Sequence, residues 1–319
     1  MKKLLVTGAD GLLGSAICKV AIDYDVIPLS HDKCDLTDFH STKAIFNYFK
    51  PDFVIHTAAI VGGIGRNRKY PVKFLCSNIN MNTNVLESAR LVGVKKLISY
   101  LSTCIFPDSL NYPFHPRDIH KGPPHPSNAA YAYAKRMLDI QSKAYRSEYG
   151  CDFITLIPTN MYGTNDNWDL ENGHVLPSLI HKCYLSKRFD KELIVWGSGK
   201  PLREFVYNMD VAKLTMLILD EYQSEEPLII SQGHEISIKD VVLQIAEIME
   251  FKNEIVFDET QPDGQFRKSS DASELKQLFP DYKFTSLYDG LKSTIGWFLS
   301  HYPMVRGTAN YDDPYLQTR

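Results

Sequence analysis

Directly after the short apolar run Leu4-Leu5-Val6 comes Thr7-Gly8-Ala9-Asp10-Gly11-Leu12-Leu13-Gly14, a G-x-x-G-x-x-G loop opening onto a helix-like segment. A loop of this kind needs a strand before it and a helix after it, and it sits where the first β–α unit of a chain would lie. Gly8 suits the tight turn, Gly11 lets a phosphate approach the backbone, and Gly14 lets helix pack closely on strand. Leu12 and Leu13 begin the helix, whose N-terminus favours a pyrophosphate. The rest of the first half keeps the same rhythm. Short apolar runs at 4–6, 26–29, 53–56, 97–101 and 153–157 alternate with helix-like stretches at 12–21, 38–49, 72–91 and 129–149. Strict alternation predicts an α/β fold, a doubly wound parallel sheet with helices on both faces and ligands at the carboxyl ends of the strands.

The second half is less regular. Residues 104–128 carry Pro107, Pro113, Pro116, Pro123, Pro124 and Pro126, and can hold neither a long helix nor a central strand. Helical segments at 174–186, 210–220 and 237–249, broken by short strands at 193–196 and 255–257, predict a smaller α/β substrate-binding domain. The division expected is a cofactor-binding Rossmann domain over 1–162, with segments around 193–222 returning to it, and a mainly substrate-binding domain over 163–319. The polar end, 307–319, is expected to be poorly ordered.

Composition narrows the function. The 319 residues carry a net charge of −3, which gives no general attraction to nucleic acid or to an anionic membrane. The 6 cysteines are scattered without a C-x-x-C pair, which argues against a zinc site or a disulfide framework and fits a reducing compartment. The apolar run before Thr7 is too short for a signal-peptide core, and no run approaches the ~18 apolar residues of a membrane span. A cytoplasmic enzyme without metal is the expectation.

Two further clusters carry chemistry. Tyr131-Ala-Tyr-Ala-Lys135 places Tyr131 and Lys135 four residues apart, on one face of a helix. Ser102 follows the buried-strand run 96–101. A free phenol has a pKa of ~10, and a nearby ammonium would lower it, so Tyr131 could exchange a proton with a carbonyl oxygen held by Ser102. Lys135 would also hold the nicotinamide ribose. Tyr133 and Tyr145 have no lysine four residues on. At the second strand, Ser30 and His31 stand at the ribose position with Lys33 close by. They favour NADP(H), whereas Asp32 is the type of residue that binds the 2′-hydroxyl of NAD. Asp35 and Leu36 are expected beside the adenine, and the small Ala58 and Ala59 end the third strand against the cofactor.

The glycine loop with Ser102, Tyr131 and Lys135 resembles the extended short-chain dehydrogenase/reductase family. Further stretches narrow that resemblance: Leu101-Ser-Thr-Cys-Ile-Phe-Pro107, Pro158-Thr-Asn-Met-Tyr-Gly163, Gly173-His-Val-Leu-Pro177, Val195-Trp-Gly-Ser-Gly199, Arg203-Glu-Phe205 and Pro262-Asp-Gly264. They look like the members that convert GDP-4-keto-6-deoxy-D-mannose to GDP-L-fucose, by 3,5-epimerisation and then NADPH reduction at C4. The resemblance runs over nearly the whole chain. It implies a GDP-sugar substrate and a homodimer formed through the helices at 72–91 and 129–149. It also implies two more acid-base groups, Cys104 and His174. Cys104, two residues after Ser102, would project to the same side in an extended chain.

Further carry-overs place Pro158, Asn160 and His174 at the cofactor. Asn160, Val175, Lys182, Trp196, Arg203 and Lys268 fall at the substrate, with the cations on its phosphates. Two positions depart from bacterial members: Asp10 stands where those often carry an arginine against the 2′-phosphate, and Lys182 replaces an arginine. Three other readings stay open: a C4-reductase of a different GDP-4-keto-6-deoxy sugar, an NAD-retaining nucleotide-sugar 4-epimerase, and a non-catalytic NAD(P)-binding regulator.

Overall fold

The structure is a computed structural model that describes residues 1–261 and 263–308. Its core is a six-stranded sheet in the order β2-β1-β3-β4-β5-β9, every neighbouring pair parallel. The strands are β1 (Lys2–Thr7), β2 (Tyr24–Leu29), β3 (Phe53–His56), β4 (Lys96–Tyr100), β5 (Phe153–Pro158) and β9 (Leu228–Ile230). The chain winds outward in opposite directions from β1 and β3, so the crevice between their carboxyl ends is the topological switch point.

Period-two alternation builds the two layers. Leu4, Val6, Ile55 and Ile98 face one core with α1 (Leu12–Val20) and α7 (Asn208–Glu221). Leu5, Val54 and Leu97 face the other with α2 (Phe39–Phe49), α4 (Asn78–Val92) and α5 (Ala129–Tyr149). Asp38 caps α2 by accepting from Ser41 N at 2.7 Å, and Gly93 and Gly150 end α4 and α5 in the left-handed region.

The stretch predicted as one helix over 72–91 is helical throughout, with its first turn wound as a π-helix. A short α3 (Ile64–Lys69) precedes Pro71, and a π-helical turn (Lys73–Ser77) leads into α4. Proline cannot donate its backbone nitrogen, so the helix begins afresh after it.

A third core lies outside the main sheet. Trp168, Tyr162 and Phe298 centre it, packed among α6 (Val175–Arg188), α8 (Ile238–Ile248) and α10 (Leu287–His301). Two small sheets frame it. One has the order β10-β8-β6, from β10 (Glu235–Ser237), β8 (Leu202–Tyr207) and β6 (Asn160–Tyr162); the other pairs β11 (Ile255–Asp258) with β7 (Leu193–Trp196).

The expected return of 193–222 to the main sheet is therefore met only by α7, which packs against α1. The strands β7 and β8 stay in the small sheets, and the strand that rejoins is β9. A three-residue strand buried on both faces has no alternation to reveal it. Likewise β6 pairs with β8, so the chain leaves the main sheet after Pro158. The proline-rich excursion holds only isolated 3₁₀ turns, at Thr103–Ile105, Pro116–Asp118 and Pro126–Asn128, together with the Pro107–Pro124 and Phe114–Ser270 bridges. Pro262 of the Pro-Asp-Gly motif, and most of the tail, 309–319, lie outside the described residues.

Candidate active site

At the switch point the glycine loop is fixed by backbone geometry. Gly8 has φ +66°, and a Cβ there would lie 2.9 Å from the Ala58 backbone; at Gly14 a Cβ would meet the Gly8 carbonyl oxygen. Both positions therefore exclude a side chain. The N-cap of α1 is Gly11, with no side-chain cap and no acidic residue in the first turn, which leaves its N–H groups for an anion. Such a bare cradle suits a dinucleotide pyrophosphate. Leu13 and Leu36 are buried in the two cores, so only their backbones can face a cofactor.

Beneath the loop runs a buried polar chain that sequence reading did not single out. His56 pairs with Thr7 Oγ1 at 2.7 Å through Nδ1 and with Asn82 Oδ1 at 3.1 Å through Nε2. Ala58 N donates to the Thr7 hydroxyl and Thr57 Oγ1 to the Thr7 carbonyl, at 3.3 and 2.6 Å. Burial, with the Lys135 charge, pulls the His56 imidazole down to about 4. It is neutral near pH 7, so Nε2–H donates to Asn82 and Nδ1 accepts from Thr7.

At the ribose position the Ser30 hydroxyl bonds the Asp32 carboxylate, and that bond is the main reason Asp32 is held below its ordinary range. His31 is exposed. The Lys33 ammonium bonds the Pro28 carbonyl at 3.3 Å, and Asp35 accepts from Thr37.

The second cluster lies at the end of β4. Ser102 is extended, at φ −159° and ψ 151°, and caps the 3₁₀ turn Thr103–Ile105, its Oγ accepting from Cys104 N at 3.5 Å. The chain here is thus not the extended segment expected. A tight turn keeps Cys104 against Ser102, and Thr103 is buried between them in sequence. Tyr131 and Lys135 lie one turn apart on α5, with the Phe74 ring edge-on to Tyr131 at 6.3 Å. The Lys135 ammonium donates to the Tyr100 carbonyl at 2.7 Å and stands 5.8 Å from the Tyr131 ring centroid.

Burial, then the nearby Cys104 sulfur, push the Tyr131 phenol up rather than down. The phenol is therefore not lowered as the spacing to Lys135 led one to expect. Burial of the phenol itself is the main cause, and burial also brings the Lys135 amine down to about 8. Burial also raises the Cys104 thiol, opposed by its bond to Ser102 and by the Lys268 and Lys135 charges. Lys268 in turn feels burial first, then Cys104 and Arg203. One run of polar groups thus joins Ser102, Tyr131 and Lys135 to Cys104, Lys268 and Arg203.

Other predicted residues stand apart from this run. His174 is the N-cap of α6, with 45% of its side chain reachable by solvent, and its Nδ1 lies 3.4 Å from Oδ1 of the buried Asp166. Burial pulls this imidazole down, but the bond to Asp166 and its charge outweigh that, so its pKa is raised. Asp166, eight residues upstream in a loop, gave no periodic signal. Val175 and Trp196 are exposed, at 39% and 48%, and the Lys182 ammonium sits 4.6 Å from the Trp196 ring centroid. Pro158 ends β5, and Asn160 on β6 donates to the Glu204 carbonyl at 2.8 Å.

A strap, 263–271, carries Lys268 and is tied to distant elements. Glu204, 2% exposed, accepts from Ser231 Oγ at 3.1 Å and from both Ser270 N and Ser270 Oγ. Arg267 pairs with Glu235, and Phe114 donates to the Ser269 carbonyl at 2.9 Å.

Residues 4–233 match the family model described as "NAD dependent epimerase/dehydratase family", and the chain belongs to that family. It is the class foreshadowed by the glycine loop and the Ser/Tyr/Lys residues. Among its relatives, GDP-L-fucose synthase of Dictyostelium discoideum is 46% identical over 313 residues, covering 96% of this chain and 98% of that one. GDP-L-colitose synthase of Yersinia pseudotuberculosis is 31% identical, covering 93% and 98%. In three dimensions the chain is similar to the crystal structure of a GDP-L-fucose synthetase from Naegleria fowleri bound to NADP. The TM-score is 0.89 at 39% identity, over 96% of each chain.

Proposed function

We propose that the chain converts GDP-4-keto-6-deoxy-D-mannose to GDP-L-fucose, as a 3,5-epimerase and an NADPH-dependent 4-reductase. The observation that carries this reading is the thiol of Cys104 inside the Ser102, Tyr131 and Lys135 cluster, where a simple carbonyl reductase has no use for it. The relatives named GDP-L-fucose synthase support the same conclusion, and the neighbour bound to NADP supports the cofactor.

The C4 ketone acidifies the protons at C3 and C5. Ser102 and Tyr131 hold the C4 oxygen, where negative charge develops as each C–H bond breaks and its electron pair enters the enolate. Cys104 and His174 act as the acid-base pair: one takes the proton and the other returns one to the opposite face. When bound, NADPH supplies the hydride for C4. Tyr131, which burial keeps protonated, then gives its proton to the C4 oxygen, with the Lys135 ammonium one turn away on α5. The glycine loop, Ala58, Ala59, Asp35 and Ser30 bind the dinucleotide. Arg203, Lys268 and Lys182 hold the diphosphate, with Asn160, Val175 and Trp196 along the sugar nucleotide.

This divides the labour between a cofactor half before residue 163, completed by α7 and β9, and a mainly substrate-binding half after it. We assign the chain to the cytoplasm; among the described residues no helix is long and apolar enough to cross a membrane. We also assign it to a homodimer, since α5 leaves Tyr133, Met137 and Ile140 at least 40% exposed. A second reading, reduction of a different GDP-4-keto-6-deoxy sugar, is favoured by the more distant colitose-synthase relative.

Incubation with GDP-4-keto-6-deoxy-D-mannose and NADPH in heavy water tests the proposal, on a preparation that should sediment as a dimer. The expected product by NMR is GDP-L-fucose, deuterated at C3 and C5. An unepimerised reduced sugar without deuterium would remove the epimerase role.

A further inference from the structure

Arg136 follows Lys135 on α5 and is 6% exposed. Its Nε donates to the Ile105 carbonyl and its Nη1 to the Gly122 carbonyl, each at 2.7 Å. Its Nη2 is buried and meets no acceptor among the described residues. No carboxylate pairs with this guanidinium among the described ion pairs; its neighbours are two neutral carbonyls and the Tyr133 ring, 5.5 Å from Cζ. A buried cation without an anion costs several kcal/mol. A neutral donor could tie the same carbonyls without that cost, so the charge itself has a use.

The two carbonyls show where that use lies. Ile105 closes the 3₁₀ turn whose middle residue is Cys104. Gly122 lies on the returning limb of the excursion, beside the Pro107–Pro124 bridge. The guanidinium thus holds both limbs against α5 at the base of the thiol. The charged and titratable groups facing the sulfur are Lys135 and Tyr131 from α5, Ser102 from the turn and Lys268 from the strap. The Arg136 guanidinium, its pKa lowered mainly by burial, also feels the Tyr133 and Cys104 charges.

We propose that Arg136 is the positioning residue for Cys104, pinning the Thr103–Ile105 turn and holding positive charge against the sulfur whenever it lacks its proton. This rests on the acid-base role given to Cys104 above. In either direction of proton transfer at C3 or C5, the sulfur is a thiolate in one of its two states. Arg136 favours that state and fixes the sulfur's distance from the sugar. It touches neither sugar nor cofactor, so its loss weakens epimerisation more than hydride transfer.

The variants are Arg136→Leu, which removes the charge at similar bulk, and Arg136→Lys, which keeps it. Arg136→Gln replaces the leucine variant if that chain does not fold. The first measurement is the pH dependence of iodoacetamide alkylation at Cys104 in the ligand-free protein, read on its own peptide by mass spectrometry. Without the charge the inflection should move up by about one pH unit; with lysine it should stay within a few tenths.

The second measurement compares deuterium uptake at C3 and C5 with NADPH oxidation. Uptake should fall about 100-fold in Arg136→Leu and oxidation less than about 10-fold, with lysine recovering most of the uptake. An unmoved inflection, an equal fall in both rates, or no rescue by lysine overturns the proposal. Failure of the proposed function looks different: the parent chain takes up no deuterium, while the alkylation inflection still answers to Arg136.

Discussion

At Gly14 a single added methyl group would meet the carbonyl of Gly8, six residues away in the same loop. Lys268 reaches the cleft on a strap held by Glu204, Phe114 and Glu235, each from a different part of the chain. The glycine loop, on the proposed cofactor side, is shaped chiefly by steric exclusion, at Gly14 against its own loop and at Gly8 against the Ala58 backbone. The 263–271 strap is held by hydrogen bonds and an ion pair to residues distant in sequence. The first kind of constraint tolerates almost no change at a few positions. The second spreads over many contacts, and each can be weakened by degrees.

Gly14→Ala is the severest way to break this contrast. The new Cβ forces α1 away from the loop, and NADPH binding should weaken at least about 100-fold in a fluorescence titration. Unchanged NADPH affinity would show that the loop is not the rigid partner. Glu204→Ala should act on the other half alone. It leaves two hydroxyls and one N–H without their acceptor, a loss of about 1–3 kcal/mol, so the sugar-nucleotide KM should rise about 10-fold. NADPH affinity should stay within about 2-fold. A matching loss of NADPH binding would mean that the halves are not separable.

The smallest effect lies where the halves meet, at Lys135. Burial favours its neutral amine, so the cation is lost as pH rises through about 8. If the cation is the working form, kcat/KM for the reduction should fall on the alkaline side with a midpoint near that value. Lys135→Arg stays charged and should move that limb to higher pH. A limb unaffected by the arginine would assign it to another group.

Much of the main sheet was legible because its signals are local. The runs that became β1 to β5, and α5 over 129–149, announce themselves through apolar run length and periodicity. The glycine loop declares itself by residue type alone. The short strands β6, β9 and β10 do not, since three residues carry no period. The predicted return of 193–222 is met by α7 but not by β7 or β8: pairing is chosen between strands, and nothing within β7 says that its partner is β11.

The candidate site divides along the same line. Spacing placed Tyr131 and Lys135 on one helical face, but not the direction of their charges. Burial of both groups, invisible in the sequence, raises the phenol and lowers the amine. The nearness of Cys104 to Ser102 was expected from an extended chain and arises instead from a 3₁₀ turn. Asp166 behind His174, His56 beneath the loop and Arg136 behind Cys104 lack any motif. Each acts through a contact closed by tertiary packing.

The amino-acid sequence by itself thus determined the β–α winding, the glycine loop and the residue types available at the proposed site. Those depend on backbone conformation and on spacings of a few residues. Only the tertiary structure decided which strands pair outside the main sheet, which cations face the sulfur and how far each titratable group is withdrawn from water. Those properties are set by desolvation and by charges brought together from far along the chain, and no local pattern encodes them.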